Sequence, residues 1–265
     1  MKKYLSLFAS HFSMALEYRS NLIGVFVLEL VSISSMIILW TAVYKTEQDV
    51  AGYSLYQAVV YFVLIPLAGF ITQVDISEKL SKEIRTGTFS NYLLKPYTFW
   101  VAAFMEALAA KINFLMLVAP IAAAVMVFLA MKGYLALTWS GLSSGLLVAV
   151  FAFLLHFILD LLIACWAFWT DSVWAFKHVK IILFSVLGGV SFPLDFLSAR
   201  LAAFAHVLPF QYFYYVPVSY VLGKNTGSGR ILLDCMYMVL WMVILIIVCM
   251  LAWKMGLKKY DAYGR

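Results

Sequence analysis

Runs of about twenty apolar residues recur along this chain, and a soluble fold has no interior large enough to take so many in succession. A helix needs about 20 residues, at 1.5 Å each, to cross the hydrocarbon core. The stretches at 22–44, 54–74, 102–131 and 231–253 reach that length, and 141–169 exceeds it enough to suggest a tilted span. Only 12% of the residues are charged and 65% are hydrophobic. That is about half the charged share of a soluble domain, which excludes a large soluble enzyme.

Between the runs the chain is short, polar and basic. A sixth apolar stretch, 179–222, is interrupted by Gly188, Gly189, Pro193, Pro209 and Pro217. Broken backbone at membrane depth survives only where protein or a wet cavity covers its polar groups. One span followed by one or two short re-entrant or interfacial helices is therefore expected here. Pro66 with Gly69 is expected to kink the second span, and Pro120 to break the third. Gly141, Ser144 and Gly145 are small enough to let another helix approach closely. Residues 1–20 place Leu5, Phe8, Phe12, Ala15 and Leu16 on one face and Lys2, Lys3, Ser6 and Glu17 on another. This pattern predicts an amphipathic helix lying on the membrane surface, retained rather than cleaved because His11, Glu17 and Arg19 interrupt any signal-peptide core. The expected fold is all-α and polytopic, with six transmembrane helices in one domain over 21–265.

Charge orients it. With both termini cytoplasmic, the inner segments hold most of the 19 basic residues, and Lys45, Lys132, Arg200, Lys224 and Arg230 lie outside. That inward excess is the bias expected of a multi-pass protein, and the net charge of +6 then needs membrane lipid rather than nucleic acid as its neighbour.

Residues 75–96 form the longest polar connection. Ile76, Leu80 and Ile84 repeat every four residues, and Asp75/Lys79, Glu78/Lys82 and Lys79/Glu83 are opposite charges at the same spacing. The pattern predicts a surface helix with a narrow apolar edge, followed by Arg85, a stop at Gly87, and a short second turn ending before Lys95-Pro96. Such a segment is either a solvated connector or a docking element for a cytoplasmic partner.

No phosphate loop, dinucleotide fingerprint or zinc motif is present, so the chain is not expected to act as an enzyme or to hold a cofactor or metal itself. His156 and Asp160, one helical turn apart, suit local packing, a proton relay or half of an ion site. Glu29, Glu106, Lys111 and Asp234 also fall in or near spans and must face the bundle interior, pair, or sit near headgroups. The rings at Phe210, Tyr212, Phe213, Tyr214 and Tyr215 suit an interfacial anchor or the mouth of a pathway. Cys165, Cys235 and Cys249 lie in apolar runs and read as small hydrophobes rather than a disulfide.

Six stretches, ALEYRSN at 15–21, GYSLYQAVVYFVL at 52–64, EIRTGTFSNYLLKPYTFW at 83–100, FWTDSVWAFKHV at 168–179, SFPLDFL at 191–197 and LPFQYFYYVPVSYVLG at 208–223, resemble the type-2 ATP-binding-cassette permeases, in particular short six-span bacterial exporter subunits. The resemblance implies a permease dimer, of identical or related subunits, in the inner membrane over two cytoplasmic ATPases that bind ATP and Mg. It implies a coupling helix at 75–85 with Gly87 bounding it, an N-terminal interface helix, and an outer gate between Pro193 and Pro217 that includes Phe210 and Tyr212. It also implies export of a drug, antibiotic, lipid or glycan. The rival readings are an ion-coupled secondary transporter and a non-transporting assembly or immunity protein.

Overall fold

A computed structural model describes residues 8–10, 12–13, 19–46, 49–94, 98–225 and 227–260. Among these the protein is helical throughout, with α1 Arg19–Val43, α2 Leu55–Thr72, α3 Ser77–Arg85, α4 Ser90–Leu93, α5 Phe99–Met131 and α6 Trp139–Cys165. The second half adds α7 Trp174–Leu187, α8 Ala199–Val207, α9 Tyr215–Val221 and α10 Ser228–Lys259. Four stretches, Leu55–Thr72, Phe99–Met116, Trp139–Phe168 and Gly229–Lys259, are long and apolar enough to cross a membrane, and Val27–Val43 and Val118–Met131 are shorter apolar helices. The protein is an all-α polytopic membrane protein.

At the centre lies α6. Its buried face carries Val148, Ala152, Leu155, His156, Asp160 and Ala164, and it packs against α2, α3, α9 and α10. α2 begins with a capping box in which Ser54 and Gln57 exchange backbone hydrogen bonds. Pro66 and Pro120 sit inside continuous helices, so the expected break in the third span does not occur. Proline removes one backbone donor, and a long apolar helix held on both sides keeps its remaining hydrogen bonds. The third span begins earlier than expected, at Phe99, and the fourth ends as a 3-10 turn over Trp166–Phe168.

The fifth run breaks where glycine was expected to break it. Gly188 ends α7, and Gly189 takes φ +85°, a left-handed conformation that suits glycine. A 14-residue helix rises only about 21 Å, so α7 is short for a span. Beyond it, Pro193 precedes a 3-10 turn at Leu194–Phe196, and Pro209 opens another at Pro209–Phe213. α9 then returns into the bundle with residues from Tyr215 to Tyr220 buried, against α6 and α2. The close approach rests on Gly141 and Gly145. A Cβ on Gly141 would stand 2.7 Å from the Tyr220 carbonyl, and one on Gly145 2.9 Å from Val221 Cγ2.

One expectation is corrected here. The rings of Tyr212, Phe213, Tyr214 and Tyr215 are not an interfacial anchor, because all four are buried inside the protein, with Phe213 4.7 Å from Phe184 and 5.0 Å from His156. The broken segment keeps its polar atoms satisfied by internal bonds, such as Tyr215 N–H to the Gly188 carbonyl and the Thr72 hydroxyl to the Phe213 carbonyl, and this requires burial. Cys165 and Cys249 are free, and their sulfurs meet at 3.8 Å where α6 packs on α10.

Candidate functional site

The chain turns sharply between α2 and α3, and buried polar groups from three later helices converge on that turn. α3 has a poor N-terminus of its own, since Ile76 stands at the capping position and offers no acceptor. Asp160 of α6 supplies one from 84 residues away. Its Oδ2 accepts from Ile76 N–H at 2.6 Å and from Ser77 N–H at 3.0 Å. A carboxylate at that point also meets the positive end of the helix dipole. The other oxygen, Oδ1, accepts from the Lys180 ammonium of α7 at 2.6 Å, and Asp160 is fully buried. Lys180 in turn faces His156 Nε2 at 3.4 Å. An ammonium already paired with a carboxylate can only donate, so His156 Nε2 is the acceptor and its proton sits on Nδ1. His156 and Asp160 are therefore joined through Lys180, not to each other.

Further straps hold α3. Lys177, also on α7, reaches Asp75 at 2.8 Å and Glu78 at 2.7 Å. Lys79 pairs with Glu106 of α5. Lys111 of α5 donates to the Phe70 carbonyl at 2.7 Å and so answers the C-terminal end of α2. The charges of Asp75, Glu78 and Lys79 thus bond to other helices rather than to one another along α3, which corrects the expected intrahelical pairs. The apolar edge is where the spacing predicted it: Ile76, Leu80 and Ile84 are buried. The opposite face, with Glu78, Lys82 and Arg85, is exposed. Gly87, at φ +73°, ends the helix, and Phe89 N–H bonds back to the Glu83 carbonyl. Phe89 is fully buried among Phe99, Phe168, Trp253 and Tyr260, which fastens the end of the segment to α5 and α10.

Glu29 stands apart from this joint, on the wall of a separate cavity of about 360 Å³ among α1, α2 and α7 that His156 and Lys180 also line. At the other end of α2 lie Gly189 and Asp195, the latter within the segment proposed for an outer gate. Tyr53 and Tyr215 both donate to Asp195, at 2.6 and 2.9 Å, and Tyr61 donates to the Gly189 carbonyl at 2.6 Å. Burial, then the bond to Asp195, raise the Tyr53 hydroxyl far above its usual range, so it stays a donor. Lys224 lies over the Tyr53 ring at 2.9 Å, and Asp234 accepts from the Tyr220 hydroxyl at 2.8 Å. Phe210 is half-buried, its ring edge-on to Phe184 at 5.9 Å, while Tyr212, Pro209 and Pro217 are buried. The N-terminal interface helix falls largely outside the described residues. Residues 8–10 and 12–13 are helical, and Asn113 donates to the Phe12 carbonyl at 2.9 Å. Lys95-Pro96 lies outside them altogether.

Sequence reasoning missed Lys177 and Lys180, which it counted only as inward charge. The available signal was their spacing, i and i+3 at the entrance to a span, opposite an acidic residue that had to find a partner.

An all-α bundle in which the short polar helix α3 is strapped to several apolar membrane helices defines a polytopic membrane component. The chain belongs to the ABC-2 transporter family: the family described as ABC-2 family transporter protein matches residues 30–264. It is a permease component of an ABC transporter. Comparison with curated proteins gives no match.

Proposed function

We infer that this chain is the permease subunit of an ATP-driven exporter in a bacterial inner membrane. Its six spans are α1, α2, α5, α6, α7 with the broken segment after it, and α10, with both termini cytoplasmic. A separate cytoplasmic ATPase binds ATP and Mg, and a second identical or related permease completes the pathway. α3 is the coupling helix.

The observation that carries this reading is the bracing of α3. Asp160, Lys177 and Glu106 tie one short surface helix to α6, α7 and α5, and its outer face is left exposed. A connector that merely joined α2 to α5 would not need rigid bonds to α6 and α7 as well. When the ATPase closes on ATP, a push on the exposed face passes through Asp160 and Lys177 into α6 and α7, and the outer Tyr53–Asp195–Tyr215 latch opens. ATP drives the cycle because it binds the two states with different affinity. Hydrolysis resets it.

Native affinity purification from membranes, with mass spectrometry of co-purifying chains and ATPase assay of the complex, tests the reading. A stoichiometric nucleotide-binding subunit with ATP-dependent efflux in vesicles is the expected result. An ATPase-free preparation that still transports down an ion gradient overturns it.

A further inference from the structure

Glu29 makes no hydrogen bond or ion pair with any described residue, although it lines an intramembrane cavity. A carboxylate in such a place is costly unless a cation joins it. The cavity's own cation does not serve. Lys180 is taken by Asp160 at 2.6 Å and by His156, which leaves that corner close to neutral and Glu29 without a counter-ion among the described residues. Its other walls include the rings of Phe62, Phe184 and Tyr214, whose π faces attract positive charge. A volume of about 360 Å³ lies at the small end of the range for ligand pockets.

We propose that this cavity binds a lipophilic organic monocation, with the Glu29 carboxylate as counter-ion and the aromatic walls covering the apolar body. The site also explains how occupancy is sensed. Lys180 and His156 form part of its wall, and Lys180 bonds the same Asp160 that caps α3. A cation that displaces the Lys180 ammonium by repulsion loosens the cap, so occupancy reaches the coupling helix through two bonds. This deepens the permease reading and rests on it for the transported role, whereas binding itself does not require the ATPase.

The test uses methyltriphenylphosphonium and the near-isosteric anion methyltriphenylborate, which share shape and differ in sign. Equilibrium binding to the purified full-length chain is measured first, then ATPase activity of the complex. Saturable binding of the phosphonium, weakened about tenfold or more in Glu29→Gln, with recovery in Glu29→Asp and no saturable binding of the borate, is expected. Equal binding of both ions, or phosphonium binding unchanged in Glu29→Gln, overturns the proposal. So does an absence of saturable binding to a complex that assembles and hydrolyses ATP, a result that leaves the permease reading intact. Phosphonium binding to a chain that recruits no ATPase does the reverse, sustaining the site and removing the ATP-driven reading.

Discussion

A carboxylate shielded from water is stabilised only by the groups that touch it, and Asp160 has three of them: two backbone N–H groups at the start of α3 and the Lys180 ammonium. Removing one charge of a buried pair strands the other, at a cost on the order of 3 kcal/mol. Asp160→Leu is therefore expected to lower the thermal unfolding midpoint in detergent strongly and to uncouple the ATPase. Adding Lys180→Met should recover much of the stability, because an apolar pair replaces an ionic one, but not the coupling, since the two N–H groups remain without an acceptor. Lys180→Met alone, which loosens the cap but leaves both N–H groups their acceptor, is expected to weaken coupling less than Asp160→Leu and at a smaller stability cost; equal loss of coupling in both single variants would show that the cap is not what matters. The chain's sequence displays His156 and Asp160 one turn apart, and that spacing is informative about a face of α6. It is silent on partners 20 and 84 residues away, because long-range pairing depends on where helices lie after they pack.

At the level of the element, what was legible was whatever depends on near neighbours. The four-residue repeat of Ile76, Leu80 and Ile84 and the stop at Gly87 are local properties of α3, and the structure has both. The return of α9 into the bundle was not legible, since the same prolines and rings suit an interfacial helix equally well. Two kinds of substitution follow. Leu80→Ala, at a fully buried position, is expected to cost about 2–5 kcal/mol and to reduce capture of the ATPase in pull-downs, while Lys82→Ala on the exposed face leaves the fold unchanged. Gly141→Ala places a methyl against the Tyr220 backbone, which cannot swing aside as a side chain would, and should cost about 1–3 kcal/mol in melting experiments. Gly229→Ala is the control. Nothing lies within 4 Å of its Cβ, so the same change there should be neutral or slightly stabilising.

Across the whole molecule, the exposed apolar faces of α10 and of α1 with α7 differ in what they surround. α10 presents Leu233, Leu240, Ile247 and Leu251, a surface that suits lipid tails. α1 and α7 present Val31, Ile38, Val179 and Ile182, yet between them lies the cavity holding Glu29, Lys180 and His156. Lipid covers such a cavity badly, because its polar groups would face hydrocarbon, whereas the second permease subunit proposed above would enclose it. The prediction is directional and can be read from membranes without purification. A p-benzoylphenylalanine incorporated at Ile182 or Val31 should form, on illumination, an adduct one permease larger, whether the neighbour is an identical or a related chain. The same group at Leu240 should give no protein adduct. If Leu240 rather than Ile182 captures the second permease, the subunits meet through α10, and the cavity around Glu29 opens to lipid instead of to a partner.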